Sequence, residues 1–304
     1  MKKTPSQCVV RLAAVIVLAA AFLGPASKAQ ATLETANATS EGSHDIGHAL
    51  VQVDEMATQA QRITTSLLLS GLDVAPKANL ARAQKSLTFI DRMIQVARQG
   101  DPAMKLEAPS DPELLATVEV VEQLWAQLRP TFEGVIKTKK LRPEDVEVIA
   151  KNHLVLVKGI LAMQKEFLRV LGQKNLVSIL AYTAQQSEHL SFLIEEMASD
   201  LLLIVYGHDV QTNKLKLAKD QAIFQAALTD LIHGNPEKRL IAAPNEQIRA
   251  QLGKVKVLWE QFRPILEATA EGGMPSRQVL QTLVPLIETL YDEMATAAAY
   301  YDQL

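Results

Sequence analysis

Apolar residues recur at steps of three and four along most of this chain, which is the period of helices with one buried face. In the first such segment, at about 44–70, they include Ile46, Leu50 and Met56. Further helices are predicted at about 77–99, around Leu115 to Phe132, at about 143–171, 175–206 and 212–233, after Asn245, and from Ser276 to the C-terminus. Alternation with a period of two is almost absent, so the pattern predicts an all-α protein.

One ten-residue motif occurs twice and contains the only two tryptophans. It has the form Leu-Trp-x-Gln-apolar-Arg-Pro-x-x-Glu, at 124–133 and again at 258–267. The tryptophans are 134 residues apart (259 − 125 = 134), and the same offset separates Gly100 from Gly234, which end the second and sixth predicted helices. A repeat of this length is the size of a domain, far longer than the repeats of solenoids. The pattern therefore indicates two copies of one helical unit.

The predicted fold is two tandem antiparallel four-helix bundles, because four long helices joined by short loops can bury their apolar faces against one another. The first bundle is expected at 44–172 and the second at 175–304. Gly172 favours a helix end between them. Because a glycine inside a helix costs only about 1 kcal/mol, the alternative of one continuous helix through Gly172 stays open.

The N-terminus has the features of a cleavable secretory signal peptide at residues 1–31. Basic residues precede an apolar run from Leu12 to Leu23, which is shorter than the roughly 20 residues that a membrane-spanning helix needs. Ala29-Gln30-Ala31 fits a cleavage site, and an uncleaved anchor is the alternative. The small, polar residues 32–43 are interpreted as a flexible leader. These features predict a periplasmic protein whose mature chain does not span the membrane.

Composition limits the chemistry of the mature chain. Cys8, the only cysteine, lies in the predicted signal peptide, so no disulfide or reactive thiol would remain. Removal of that segment leaves 31 − 4 = 27 basic residues against 34 acidic ones, which argues against nucleic acid and anionic membranes as partners. No P-loop, dinucleotide-binding glycine pattern, nucleophile elbow or haem-attachment motif is present. The protein is therefore predicted not to be an enzyme and to need no cofactor.

The repeated motif places an arginine one turn after each tryptophan. On a helix, steps of four align Trp125, Arg129 and Glu133, and likewise Trp259, Arg263 and Glu267. Each arginine can cover the tryptophan and pair with the glutamate as part of the scaffold, or it can hold an anion. Both possibilities follow from the spacing.

Two other features of the pattern have structural interpretations. Pro130 and Pro264 lie inside predicted helices, where each removes a backbone hydrogen bond, so a bend is expected at both. His44 and His48 are four residues apart, a spacing that suits one metal ion. Because no third ligand lies at a recognised spacing, no metal site is predicted.

Gln61-Arg62-Ile63, followed by Thr64-Thr65-Ser66 in the first predicted helix, resembles a degraded form of a sensor signature. The family with that signature is the periplasmic sensor domain of type IV pili chemotaxis transducers and nitrate/nitrite sensor kinases. The helices that contain Phe89 and Phe224, and the two Leu-Trp helices, are also similar to later helices of that family. The resemblance covers both repeats, about 45–304, and implies a helical sensory domain.

The resemblance also implies candidate ligand-binding residues. In nitrate-sensing members, an arginine of the first helix holds the anion at a dimer interface, which by position implies Arg62, with Gln61 beside it. Arg129 and Arg263 of the repeated motif are the other candidates. The second repeat is expected to present Glu188 where the first presents Arg62, so the resemblance is taken to imply the fold and a sensory or binding role and not nitrate itself.

Two functions are predicted as alternatives. The first is a soluble periplasmic accessory module that binds a small anion or metabolite between its helices and reports to a membrane-bound sensory or pilus-related protein. The second is an interaction or structural protein of the envelope that has no small ligand. A pocket into which Arg62 or Arg129 points would favour the first, and an exposed apolar stripe the second. A homodimer is compatible with either function.

Overall fold

The structure is a computed structural model that describes residues 55–104, 106–172 and 179–304. The predicted signal peptide, the leader, the histidine pair and the connection after Gly172 lie outside these residues. Within them the chain is helical, with two short 3-10 turns, and contains no β-strand beyond two isolated bridges. The prediction of an all-α helical bundle is confirmed.

Eight helices lie in the described part of the chain. They are α1 at residues 55–71, α2 Pro76–Gln99, α3 Pro112–Thr138, α4 Pro143–Gly172, α5 Ile179–Val205, α6 Val210–His233, α7 Glu246–Ala270 and α8 Arg277–Asp302. We refer to α1–α4 as the first half and to α5–α8 as the second half. Both motif prolines lie inside helices that continue past them, Pro130 in α3 and Pro264 in α7.

The two halves repeat the same local devices at the offset of 134 residues. Asp111 caps α3 by accepting hydrogen bonds from two backbone N–H groups, and Asn245 caps α7 by accepting one from Ile248. Gly100 and Gly234 end α2 and α6 with φ of 72° and 79°. A Cβ at either position would lie within 3 Å of backbone atoms of the loop that follows, so both the positive φ and the space require glycine.

In the second half, α5 packs against α6 and α8, and α7 packs against the same two helices, which closes a four-helix arrangement. In the first half, α2 packs against α3, and α3 against α4. The helices α1 and α5 are buried on nearly all sides. Such burial is expected for central helices, whereas the surrounding helices keep a polar face toward water.

The two central helices contact each other reciprocally. The Ser199 hydroxyl of α5 lies 3.2 Å from Oε1 of Gln61, and the Thr65 hydroxyl of α1 lies 3.3 Å from the carbonyl oxygen of Glu195. Glu195 occupies the position of Gln61 one offset later, and Ser199 the position of Thr65. Exchanged pairs of this kind are the mark of packing around an approximate two-fold axis.

The reciprocal contacts also fix the register of the repeat. At this offset, Glu196 in α5 corresponds to Arg62, so the expectation that Glu188 does so is wrong by two helical turns. The described residues from both halves belong to one compact unit, and the division into two domains at about 172 stays a prediction. None of the helices in the described part carries an apolar run of the length and hydropathy that a membrane span needs.

Candidate functional site

A cavity of about 370 Å³ lies between α1, α2 and α8, and Arg62 is part of its wall. The Arg62 side chain is 14% exposed. Its Cζ lies 4.0 Å from the centroid of the Tyr291 ring, a cation–π arrangement. Its Nε lies 3.6 Å from Glu195 Oε1, which is too long for a hydrogen bond, and has no hydrogen-bond partner among the described residues. The guanidinium is therefore held in place while keeping donor capacity.

The walls of this cavity carry opposite charges. The α1 and α2 side contributes Arg62, Arg82 and Lys85, and the α8 side contributes Glu288 and Asp292. The remaining lining residues are small or neutral: Gln59, Ala78, Ala81 and Ser86. Because α8 belongs to the second half of the chain, the cavity lies between the two halves and depends on their packing.

Arg82 is the central cation of the cavity. It contacts the Glu288 carboxylate across the cavity, and its Nη1 donates a hydrogen bond of 3.2 Å to the Asn79 side-chain oxygen. Burial lowers the pKa of the Arg82 guanidinium, and the nearby Glu195 opposes that effect. An arginine stays protonated at neutral pH even so. The Glu288 side chain is 39% exposed, so it can move away from Arg82 into water.

The acid behind Arg62 is fully buried. Burial raises the pKa of the Glu195 carboxyl, and the neighbouring Arg62 and Arg82 act against that shift. Neither carboxyl oxygen of Glu195 has a hydrogen-bond partner among the described residues. Tyr291 completes this layer by donating a hydrogen bond of 2.7 Å to Glu55, and burial raises the pKa of its hydroxyl, so the phenol stays protonated. The layer of side chains around Arg62 is thus polar and incompletely paired.

Gln61, the other candidate of the first helix, lies next to this cavity but does not line it. Its side chain is fully buried in the seam between α1 and α5, where Oε1 accepts from Ser199. The amide Nε2 has no partner among the described residues. Gln61 therefore contributes to the packing of the two central helices, and a direct role in ligand binding stays a prediction.

In the second half, acidic side chains of the protein occupy the place that corresponds to this cavity. Lys216, which corresponds to Arg82, lies 2.7 Å from Glu196 and 2.7 Å from Asp200, and 3.4 Å from Asp220. Glu196 stands where the first half has Arg62. Burial lowers the pKa of the Lys216 ammonium, but the two nearer carboxylates outweigh it and raise the pKa overall. This cluster is an internal ion network, whereas the first half keeps an open cavity.

Arg129 does not line the cavity that holds Arg62. It makes a two-point contact with Asp91, at 2.9 and 3.0 Å, and pairs with Glu133 at 2.9 Å as the motif predicts. The Trp125 indole N–H donates to the same Asp91 carboxylate at 2.8 Å. Since the guanidinium is already occupied by two carboxylates, the scaffold interpretation fits Arg129 better than anion binding.

The second motif repeats this layout with a neutral acceptor. The Trp259 indole N–H donates at 2.7 Å to Gln225, which corresponds to Asp91, so the two indoles have equivalent settings. Arg263 lacks the aspartate, and in the part of the chain that the structure describes it pairs with Glu267 at 3.4 Å. It lines a cleft of about 360 Å³ between α6 and α7. Ligand binding by Arg129 or Arg263 stays a prediction.

Sequence reasoning identified Arg62 but missed Arg82, Lys85, Glu288 and Asp292. One signal was available, because Arg82 and Lys216 keep a cation at the same place in both halves. Nothing in the sequence places the α8 acids opposite α1, since more than two hundred residues separate them from Arg62. Only the packing of the halves brings the two sets together.

The chain is similar to one described family. The family model for the type IV pili methyl-accepting chemotaxis transducer N-terminal region matches residues 49–148, which confirms the resemblance over the first half. This family suggests a sensory-type domain of chemotaxis transducers, associated with membrane-bound chemotaxis or pilus machinery. Its N-terminal domains are typically extracytoplasmic sensors, not catalytic ones. No curated protein matches the chain.

Proposed function

We propose that this protein is a periplasmic sensory module that binds a small polar molecule in the cavity between α1, α2 and α8 and reports its presence to a membrane-bound partner. The match to a transducer sensor region supports the sensory part of this proposal. The cavity supports the binding part, since its volume lies within the range of small-molecule sites.

The observation that carries the proposal is the state of Arg62. A mostly buried guanidinium normally has its donors satisfied, because an unpaired buried polar group costs about 1–3 kcal/mol. Here Arg62 lies in the cavity wall, and its Nε has no hydrogen-bond partner in the described residues. A ligand oxygen that accepts from Arg62 would supply the missing partner.

A ligand bound at this site would act directly on the packing between the two halves of the chain. The cavity wall includes α2 of the first half and α8 of the second, which the Arg82 contact with Glu288 already joins. A ligand that separates this pair, or that bridges it, would change how the halves pack. Signalling by helix shifts of this kind requires only that the ligand bind one arrangement more tightly than the other.

A thermal-shift screen of anions and small metabolites on the purified exported protein tests the proposal. A ligand present at 100 times its dissociation constant adds about 2.7 kcal/mol of stability. We expect Arg62→Gln to abolish the shift, whereas Arg263→Gln, which makes the same change in another cleft, should keep it. A screen in which nothing raises the melting temperature, or in which Arg62→Gln keeps the full response, would refute the proposal.

The periplasmic location needs its own measurement. The first 54 residues fused to a reporter enzyme that is active only outside the cytoplasm should yield activity, and removal of the apolar run Leu12 to Leu23 should abolish it. Reporter activity that does not depend on this run would contradict the location.

The alternative, an interaction protein of the envelope, has one observation in its favour. Leu215 on α6 is 74% exposed and Val257 on the neighbouring α7 is 58% exposed. Single exposed apolar residues are common on monomeric proteins, so this observation carries less weight than the cavity. Loss of a partner from purified complexes on Leu215→Ser, together with a negative ligand screen, would favour this alternative.

A further inference from the structure

We infer that the ligand of this cavity is a small zwitterion of the amino-acid type, with its carboxylate on Arg62 and Arg82 and its ammonium group toward Asp292 and Glu288. This inference rests on the proposed function and names the class of molecule that the site selects. It follows from the distribution of charge over the two walls and from a comparison of the two halves of the chain.

The charges of the two walls exclude a ligand that carries charge of only one sign. The α1 and α2 wall presents three cations, and the α8 wall presents two acids across the same space of about 370 Å³. A simple anion on Arg82 would lie close to both acids, which repel it. A simple cation would meet the opposite difficulty at Arg62 and Lys85. A molecule with a carboxylate at one end and an ammonium at the other satisfies both walls.

The second half shows which chemical group pairs with the cation at this position. There Lys216, at the position of Arg82, holds the carboxylates of Glu196 and Asp200 at 2.7 Å each. These acids stand at the positions of Arg62 and Ser66 in the first half. The second half thus fills the place next to its cation with its own carboxylates. The first half has none at the equivalent positions of α1, and its nearest buried acid, Glu195 of α5, stays 3.6 Å from Arg62 Nε, which leaves Arg62 able to pair with a ligand carboxylate.

One donor of the cavity wall awaits such a partner. Arg62 Nε has no hydrogen-bond partner among the described residues. Arg82 contacts Glu288, which reaches it from α8 across the cavity, and the charge of the buried Glu195 also acts on it. A ligand carboxylate can take over Arg82 and release Glu288, which then joins Asp292 in facing the ligand ammonium group.

Isothermal titration of the purified chain with each of the twenty amino acids, and with nitrate and acetate, tests the inference. Each amino acid that binds is compared with its deamino analogue, which keeps the carboxylate, and with its decarboxylated amine. We expect the zwitterion to bind at least tenfold more tightly than either analogue. Asp292→Asn should weaken the zwitterion at least tenfold and leave the deamino analogue unchanged or improved, a split that a general loss of structure would not produce.

Two variants separate the site from its surroundings. Arg82→Gln should abolish binding of the zwitterion, whereas Glu267→Gln, an equivalent neutralisation in the cleft between α6 and α7, should leave it unchanged. If nitrate, acetate or a deamino analogue binds as tightly as the zwitterion, the inference is overturned while the proposed function stands. If no amino acid binds but another metabolite does in an Arg62-dependent manner, the result is the same. If nothing binds, both fail.

Discussion

The buried acid Asp200 provides the sharpest test of how the second half is built. Its side chain is fully buried in α5, and one of its carboxylate oxygens accepts a hydrogen bond from Lys216 at 2.7 Å. Burial raises the pKa of Asp200 from the ordinary 3.8 to about 7, and Lys216 opposes that shift. Glu196 and Asp220 share the same ammonium group and add to the negative charge around Asp200.

The direction of the effect on stability follows from this shift. Because the folded state binds the Asp200 proton more tightly than the unfolded chain, the group stabilises the fold at low pH, and that contribution is lost as the pH rises through 7. With the two pKa values above, the free energy of unfolding should fall by about 1 kcal/mol between pH 6 and pH 8 from this group alone. For a unit of this size, that corresponds to about 2–4 °C in melting temperature.

The measurement is the free energy of unfolding at pH 6, 7 and 8 for the wild type and for Asp200→Asn. Asparagine keeps an oxygen for Lys216 and cannot ionise, so the difference in the free energy of unfolding between the two proteins should change by about 1 kcal/mol over this range. Titrating groups that do not interact with Asp200 cancel in that difference. Asp230→Asn is the control, because Lys238 and Asn235 lower the pKa of Asp230 and it does not titrate in this window.

Parallel stability curves for the wild type and Asp200→Asn between pH 6 and pH 8 would refute the reasoning. Such a result would mean that Asp200 is ionised throughout the range and that Lys216 compensates fully for its burial. An increase in stability with pH for the wild type relative to the variant would contradict even the direction of the shift.

Three further predictions concern the packing. His153 is buried, and burial lowers its pKa to about 4, so its contribution to stability should be lost as the pH falls from 6.5 toward 4. The loss should be about 2 kcal/mol between pH 7 and pH 5, and His153→Gln should remove it. Gly71→Ala should destabilise by about 1–3 kcal/mol in denaturant titrations, because its Cβ would lie 2.4 Å from the Tyr206 hydroxyl. Arg129→Gln should cost only about 0.2–1 kcal/mol, since its ion pair is about a third exposed.

Two of these predictions have a matched control variant. Gly253→Ala adds a methyl group where no atom lies within 4 Å and should stabilise α7 by about 0.5–1 kcal/mol, the opposite sign to Gly71→Ala. For Arg129, the matched change is Arg263→Gln, which lacks the aspartate contact and should cost less. A loss of several kcal/mol on Arg129→Gln, or acid stability in the wild type equal to that of His153→Gln, would contradict the assignments.

The candidate site was only partly predictable from the sequence. Arg62 could be identified because it lies in a local signature within one helix. The expectation for its counterpart in the second half failed, since the motif there is too degraded to align. The reciprocal contacts of Gln61 and Ser199 place the match at Glu196 instead. These tertiary contacts fix the register of the repeat, because a shift of two helical turns would separate the hydrogen-bonded residues in space.

The sequence by itself determined the helices, their ends and the repeat, because periodicity, capping residues and helix-ending glycines act over a few neighbouring residues. It also placed the two tryptophans at equivalent positions of the repeat. The tertiary structure alone decided that α1 and α5 become the shared centre of both halves, and that Asp292 faces Arg62 across a cavity. Such juxtapositions depend on how the two halves of the chain pack, which no local pattern specifies.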